Sequence, residues 1–272
     1  MKHETVKGGW SGVDSSDDPS HFVRLMDRVR GTDDNPEQYS FVREMLGVRE
    51  GQRVLDVGCG TGGATRVLAG VVGSSGWAVG VDSSETMLRV AKERSKNLKL
   101  PIDFQRSDAR KLPFPDNYFD YTLALRVFEI VEHPEQVLKE MFRVTKPGGR
   151  IFANGPDVDT WTFDVNDKAT TRAFIHYFCD HEVNGWIGRQ LPRMFAEMAG
   201  ASIKVSAQNY FSSDFDLVHQ LFLQQSLNHA IVSQVIPEVP AKSWLVDLKS
   251  RCAAAPFAHS QQMFRIIGTK TL

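Results

Sequence analysis

The sequence predicts an α/β fold on a mostly parallel sheet, and three observations carry that prediction. Short apolar runs recur between residues 53 and 154, several of them closed by an acid. Segments with helical spacing separate the runs, an alternation expected of strand–helix–strand units whose strands lie parallel. A glycine-rich turn follows the first run, where open α/β sheets hold their ligands.

That first run is Val54, Leu55 and Val57, with Asp56 at its carboxyl end, and it breaks into Gly58, Cys59, Gly60, Thr61, Gly62 and Gly63 before a helical stretch from about Ala64 to Ala69. Glycine has no Cβ and tolerates positive φ, so the backbone can come close to a ligand. The following helix offers free N–H groups at its start. The segment reads as a nucleotide-like cofactor cradle, with Cys59 as a small packing residue. Gly58, Gly60 and Gly63 also satisfy the G-x-G-x-x-G of dinucleotide-binding folds, which keeps an NAD-dependent oxidoreductase open as an alternative. Asp56 weighs against it, because an acid in that crevice repels a pyrophosphate and attracts a cation or an ammonium group.

Trp77 to Val81 forms the second strand and ends in Asp82, about 20 residues beyond the glycine turn, where ribose-gripping acids sit. A carboxylate there accepts hydrogen bonds from both ribose hydroxyls. Ser83, Ser84 and Glu85 read as a helix start. Met87, Leu88, Val90 and Ala91 follow at helical spacing, Met87 as core or against a flat base. Residues 101–106 read as a third strand, with Asp108 and Ala109 behind it; Asp108 is placed to accept from an adenine amino group. Turn residues 112–117 precede a fourth strand that begins at Phe119-Asp120 in an apolar run reaching Phe128. Residues 134–144 are helical by spacing and stop at Lys146-Pro147-Gly148-Gly149, and a fifth strand runs from Arg150 to Asn154.

With these motifs in place the chain resembles the class I S-adenosylmethionine-dependent methyltransferases, specifically the ubiquinone/menaquinone-methylase-like (type 11) group. The resemblance rests on residues 54–62, on Val79-Gly80-Val81-Asp82-Ser83, on Asp108-Ala109 with Leu112-Pro113-Phe114, on Phe119-Asp120 and on residues 143–150, and it covers 41–156 closely. It implies a Rossmann-like, mostly parallel seven-stranded sheet with an antiparallel last strand, and S-adenosyl-L-methionine as cofactor. It further implies that Asp56 with Gly58, Gly60 and Gly62 meets the methionine part, that Asp82 holds the ribose, that Asp108 and Ala109 meet the adenine, that Leu125 and Arg126 line the floor near the sulfonium, and that Cys59, Thr61, Ser83 and Met87 belong to the same cofactor-binding set. The family's end is matched by a helix at 190–199, a strand at 202–211 and a final strand at 263–271.

Composition agrees. At 272 residues and 42% apolar content the chain can bury one substantial core. A net charge of −1 argues against a nucleic-acid binder, whose affinity comes from a basic face. No apolar run approaches the roughly 18 residues that span a bilayer, and Met1-Lys2-His3-Glu4 is not the start of a signal peptide. Cys59, Cys179 and Cys252 are few, odd in number and far apart, which suits a cytoplasmic protein with neither disulfide framework nor metal site. The polar stretch Gly8 to Ser20 is expected to be mobile.

The domain expectation is an N-terminal helical lid over 1–48, a cofactor-binding core over 49–156, a lid insertion over 157–188, and over 189–272 the rest of the core with a helical insertion at 212–257. The insertions carry Trp161, Phe163, Phe174, Tyr177, Phe178, Trp186, Phe222 and Trp244 and leave the sheet at its ligand edge. That aromatic density suits a largely apolar or planar methyl acceptor. Candidate proton-removing residues are His176, Asp157 and Glu129, with Asp159, His133 and His181 behind them. The expectation is therefore methyl transfer to a small, largely apolar metabolite such as a quinone-like or polyketide product of specialised metabolism, at oxygen, nitrogen or carbon, by a monomer or homodimer. A fold relative that binds the cofactor without catalysing is the non-enzymatic alternative.

Overall fold

The structure is a computed structural model that describes residues 10–30, 39, 47–181, 184–199 and 202–271. Seven strands form one sheet in the order β3-β2-β1-β4-β5-β7-β6. They are β1 (Arg53–Val57), β2 (Trp77–Asp82), β3 (Ile102–Arg106), β4 (Phe119–Leu125), β5 (Thr145–Thr162), β6 (Ile203–Ser212) and β7 (His259–Thr269). β3, β2, β1, β4 and β5 pair parallel, and β7 lies antiparallel between β5 and β6. The expected mostly parallel sheet with an inserted antiparallel last strand is therefore present.

Helices α2 (Gly63–Val72), α3 (Glu85–Ser95) and α4 (Pro134–Val144) make the crossovers, each a parallel connection of the kind that needs a helix to return. Their termini follow the local sequence. Ser84 caps α3, its hydroxyl accepting from the Met87 amide at 3.2 Å. His133 takes up the left-handed position before α4, with Pro134 next, so it enters a helix, and its Nδ1 lies 3.3 Å from Glu135. Buried β1, β2, β4 and β5 side chains pack against α4 and α6 (Ile187–Ala199) on one face and against α2 on the other.

Two strand boundaries differ from expectation. The chain leaves α4 directly into β5 at Thr145, and Pro147, Gly148 and Gly149 sit at an irregularity in its pairing with β4 instead of in a loop before the strand. At its other end β5 continues to Thr162, because β7 begins at His259, four residues before the expected Met263, and supplies partners out to Thr162 opposite Ser260. The segment after Asn154 thus begins as sheet.

Beyond this edge stand α5 (Lys168–His181), α7 (Phe215–Val218), a π turn (His219–Leu223), α8 (Gln224–Val232) and α9 (Glu238–Ala254). They share one apolar cluster with β5 through Val158, Trp161, Phe174, Phe178, Leu223 and Trp244. Trp244, 1% exposed, donates from its ring N–H to Thr171 Oγ1 at 2.8 Å, so even this large side chain keeps its polar atom satisfied.

At the N-terminus, a 3-10 turn (Trp10–Ser15) and α1 (Pro19–Arg30) lie across the same edge, so the stretch expected to be mobile is docked. Arg94 of α3 forks onto Asp27 with two bonds of 2.9 Å, and Arg28 reaches Asp214 at 2.7 Å. α1 is thereby tied to the core on one side and to the helical cover on the other. The helical pattern expected over 41–46 lies outside the described residues.

Candidate active site

The glycine turn has the backbone that its sequence requires. Gly58, Gly60 and Gly62 have φ of 70°, 53° and 79°, values that cost an L side chain about 1–2 kcal/mol. Space is as tight as conformation: a Cβ on Gly62 would lie 2.6 Å from Phe104, and one on Gly60 2.7 Å from Met26 Cε of α1. Beneath the turn, Cys59 is buried with Leu88, Ala91 and Phe104, as a packing residue should be. Thr61 is buried too, its carbonyl accepting from Arg66 Nη1 at 2.8 Å.

Asp82 closes the turn from the end of β2. One carboxylate oxygen accepts from the Gly60 amide at 2.8 Å and the other from the Ser84 amide at 2.9 Å. Each oxygen has a further lone pair, so the group can hold the turn and a pair of hydroxyls together. Burial pushes the Asp82 carboxyl up, with the charge of Asp14 adding, against the opposing pull of the Ser84 and Gly60 amides.

Asp14 was not foreseen. It accepts from the Ser84 hydroxyl at 2.8 Å and from the Glu85 and Thr86 amides at 2.7 and 3.1 Å, capping α3 from a turn some 70 residues away in sequence. Burial works upward on its carboxyl, but these hydrogen bonds win and hold it below the ordinary value. Met87 is 3% exposed and packs with Val13, Phe22 and Met26, so the N-terminal segment roofs this part of the cradle.

The remaining cofactor-side residues occupy different settings. Asp56 is 2% exposed at the end of β1 and accepts from Thr65 Oγ1 at 2.6 Å. The Ser83 carbonyl accepts from Arg106 Nε at 3.1 Å. Asp108 sits half-exposed against Arg110, whose hydrogen bond holds its carboxyl below the usual range, and Ala109 packs on the main core. Leu125 is buried at the end of β4; Arg126 follows with φ of 62° and gives its amide to Asn154 Oδ1 at 2.9 Å. The turn and Asp82 form one cradle, and its positive-φ glycines and two-amide carboxylate fit a ligand that carries a ribose.

On the acceptor side the structure does not bring the three named candidates together. Glu129 is ion-paired to Arg126 near the end of β4. Asp157 is 3% exposed and clamped by Arg189 with two bonds of 2.6 Å. His176 is exposed on α5, whereas its neighbours Phe174, Ile175, Tyr177 and Phe178 are buried, so its imidazole does not face the sheet edge. His181 stacks on Tyr177 at 4.0 Å, and Asp159 takes the Trp186 ring N–H at 2.7 Å.

Two residues at that edge escaped sequence reading. His259 and Gln261 open β7, 0% and 1% exposed, and neither ring nitrogen of His259 nor Gln261 Nε2 has a hydrogen-bond partner among the described residues. A buried polar group left in this state costs about 1–3 kcal/mol. Their alternation with Met263 extends the last strand's pattern backwards and is the signal that locates them.

Comparison with known proteins follows the same lines. Residues 55–153 match the family model described as a methyltransferase domain. An uncharacterized 37.1 kDa protein in transposon TN4556 of Streptomyces fradiae is 32% identical over 92% of this chain and 71% of its own length. The ubiquinone/menaquinone biosynthesis C-methyltransferase UbiE of Ectopseudomonas mendocina is 44% identical over 41% of this chain, and the matched part spans 44% of that relative's length. In fold, the YcgJ protein of Bacillus subtilis superposes with a TM-score of 0.64 at 18% identity, covering 88% of this chain and 100% of that one.

Proposed function

Since this chain belongs to the class I S-adenosylmethionine-dependent methyltransferases of the UbiE-like group, with S-adenosyl-L-methionine as cofactor, we propose that it methylates a small, largely apolar metabolite of specialised metabolism, held between the sheet edge and the helical cover. One observation carries the acceptor half of this reading: the aromatic cluster of the cover, with Trp161, Phe178 and Phe222 in mutual contact at 4.5 to 6.4 Å, stands beyond the same strand ends as the glycine turn. An NAD-dependent oxidoreductase is not favoured, as the family model and the relatives with a named activity are methyltransferases.

The bound cofactor supplies an activated methyl group on a sulfonium. The chain's part is then to bind, orient and exclude water, and such positioning alone is worth roughly 7–11 kcal/mol. Asp82 holds the ribose hydroxyls while its amide bonds keep Gly60 and Ser84 in register. Leu125 and Arg126 form the floor. The covers are the N-terminal segment within 1–48 and the insertions 157–188 and 212–257. Of the three named acids and bases we take Glu129, paired to Arg126 at the floor but with its Oε2 buried and without a hydrogen-bond partner among the described residues, as the one that receives an acceptor proton. No helix among the described residues is long and apolar enough to cross a membrane.

The test is transfer of tritiated methyl from S-adenosylmethionine into the organic phase over a panel of planar hydroxylated acceptors. Label that rises with enzyme, together with S-adenosylhomocysteine, supports the reading; cofactor binding with no transfer to any acceptor would favour a non-catalytic relative. Asp82→Ala should weaken cofactor binding by about 2 kcal/mol, the scale of hydrogen bonds lost from a charged group. Calorimetry that finds unchanged affinity in a folded variant would remove Asp82 from the site.

A further inference from the structure

β7 runs antiparallel to β5, so its first residues lie past the carboxyl ends of the other parallel strands, alongside the end of β5 and on the side at which the proposed methyl transfer takes place. His259 and Gln261 stand there next but one, on the same side of the strand. Gln261 turns its carbonyl oxygen to the Trp161 ring N–H at 2.7 Å, which leaves the amide nitrogen aimed away from that partner. The His259 ring is walled by Trp161, Phe163 and Phe222, with centroids at 4.9, 5.1 and 5.6 Å. Three polar atoms of two fully buried side chains thus make no well-formed hydrogen bond among the described residues, and the Thr162 backbone is the one polar main-chain group beside the His259 ring.

A second feature converges on the same place. Phe222 belongs to the π turn His219–Leu223, a widened helical turn of a kind common at functional positions. It is only partly buried, whereas Trp161 behind it is 5% exposed. Phe222 is therefore the wall of the enclosure that a ligand would meet first.

We propose that His259 and Gln261 anchor the methyl acceptor, and that the acceptor is a planar aromatic molecule carrying a phenolic or enolic hydroxyl beside a carbonyl. The inference rests on the methyl-transfer reading and adds to it the residues that choose the substrate. A neutral imidazole offers one acceptor and one donor, and the free amide nitrogen offers donors. A hydroxyl donates to the imidazole, and the neighbouring carbonyl accepts from Gln261. Burial, with the Arg126 charge adding and the Thr162 backbone opposing, lowers the imidazole pKa to about 3, so the ring is neutral and its lone pair stays available near neutral pH. The same Arg126 charge favours negative charge on the bound hydroxyl oxygen. The aromatic walls match a flat ring system.

The test is calorimetry on the full chain with saturating S-adenosylhomocysteine, using two probes: 1-hydroxy-2-acetonaphthone, which has the adjacent hydroxyl and carbonyl, and 2-ethylnaphthalene, which has neither. The wild type should prefer the hydroxyketone by about tenfold or more, since a site built for hydrogen bonds rejects the analogue that lacks them. His259→Phe, which fits among aromatic rings, and Gln261→Met should each erase most of that preference while leaving S-adenosylhomocysteine affinity unchanged. Equal binding of the two probes, no binding of either, or variants that retain the preference would overturn the anchor. A wild type that does not bind S-adenosylhomocysteine would count against the methyl-transfer reading instead, and the probe preference measured on the chain alone would still decide for or against His259 and Gln261.

Discussion

A Gly60→Val chain should keep its sheet and lose cofactor binding by more than about 100-fold, roughly 2.7 kcal/mol. Two effects act at this position. Its φ of 53° is strained for any L side chain and most for a β-branched one. A Cβ there would come within 2.7 Å of Met26 Cε and 3.1 Å of its Sδ. Methionine is flexible and can yield; the backbone cannot, and when it moves, the 2.8 Å bond from the Gly60 amide to Asp82 goes with it. Stability should fall by about 2 kcal/mol, the scale of one strained residue plus one weakened hydrogen bond. Gly70→Ala is the matched control, as nothing lies within 4 Å of its Cβ position and its φ is ordinary; it should bind normally. Circular dichroism with calorimetry measures both, and a folded Gly60→Val chain of undiminished affinity would place the cofactor elsewhere.

The second large effect is a loss of stability in acid that traces to His259. Burial, with Arg126 adding, takes this imidazole from 6.5 down to about 3. The unfolded chain therefore binds a proton below pH 6.5 that the folded chain refuses. Its contribution to stability is complete above pH 6.5 and is lost progressively as pH falls toward 3, by about 5 kcal/mol in all. Urea unfolding of the wild type across this range should show the loss, and His259→Phe should flatten that part of the profile. A variant as acid-labile as the wild type would mean that His259 becomes protonated without cost, which full burial does not allow.

Much of the core was legible because its information is local. Short continuous apolar runs that carry Asp56 and Asp82 at their carboxyl ends mark β1 and β2, and the serine before Glu85 marks the start of α3. Glycines in sequence become left-handed residues in space, as the steric rule demands. The inserted antiparallel strand came with the family resemblance, since no local pattern fixes sheet order.

The candidate site was legible on its cofactor side and much less so where the acceptor should lie. Asp82 lies at the expected strand end, but the group that caps its neighbouring helix, Asp14, is brought there by docking of the N-terminal segment. Asp157, a candidate base by position, is held by Arg189 from a helix 32 residues on. His176 has the right chemistry and lies on the exposed face of its helix.

By itself, then, the sequence determined the strand–helix alternation, the glycine cradle and the ribose-side acid, because propensity, capping and φ are properties of neighbouring residues. Tertiary structure alone decided how far β5 and β7 extend, which acids are consumed in ion pairs and which polar atoms stay buried and unpartnered. Those outcomes depend on side chains far apart in sequence, 100 residues for Trp161 and Gln261 and 186 for Arg28 and Asp214, and only packing brings such groups within hydrogen-bond reach.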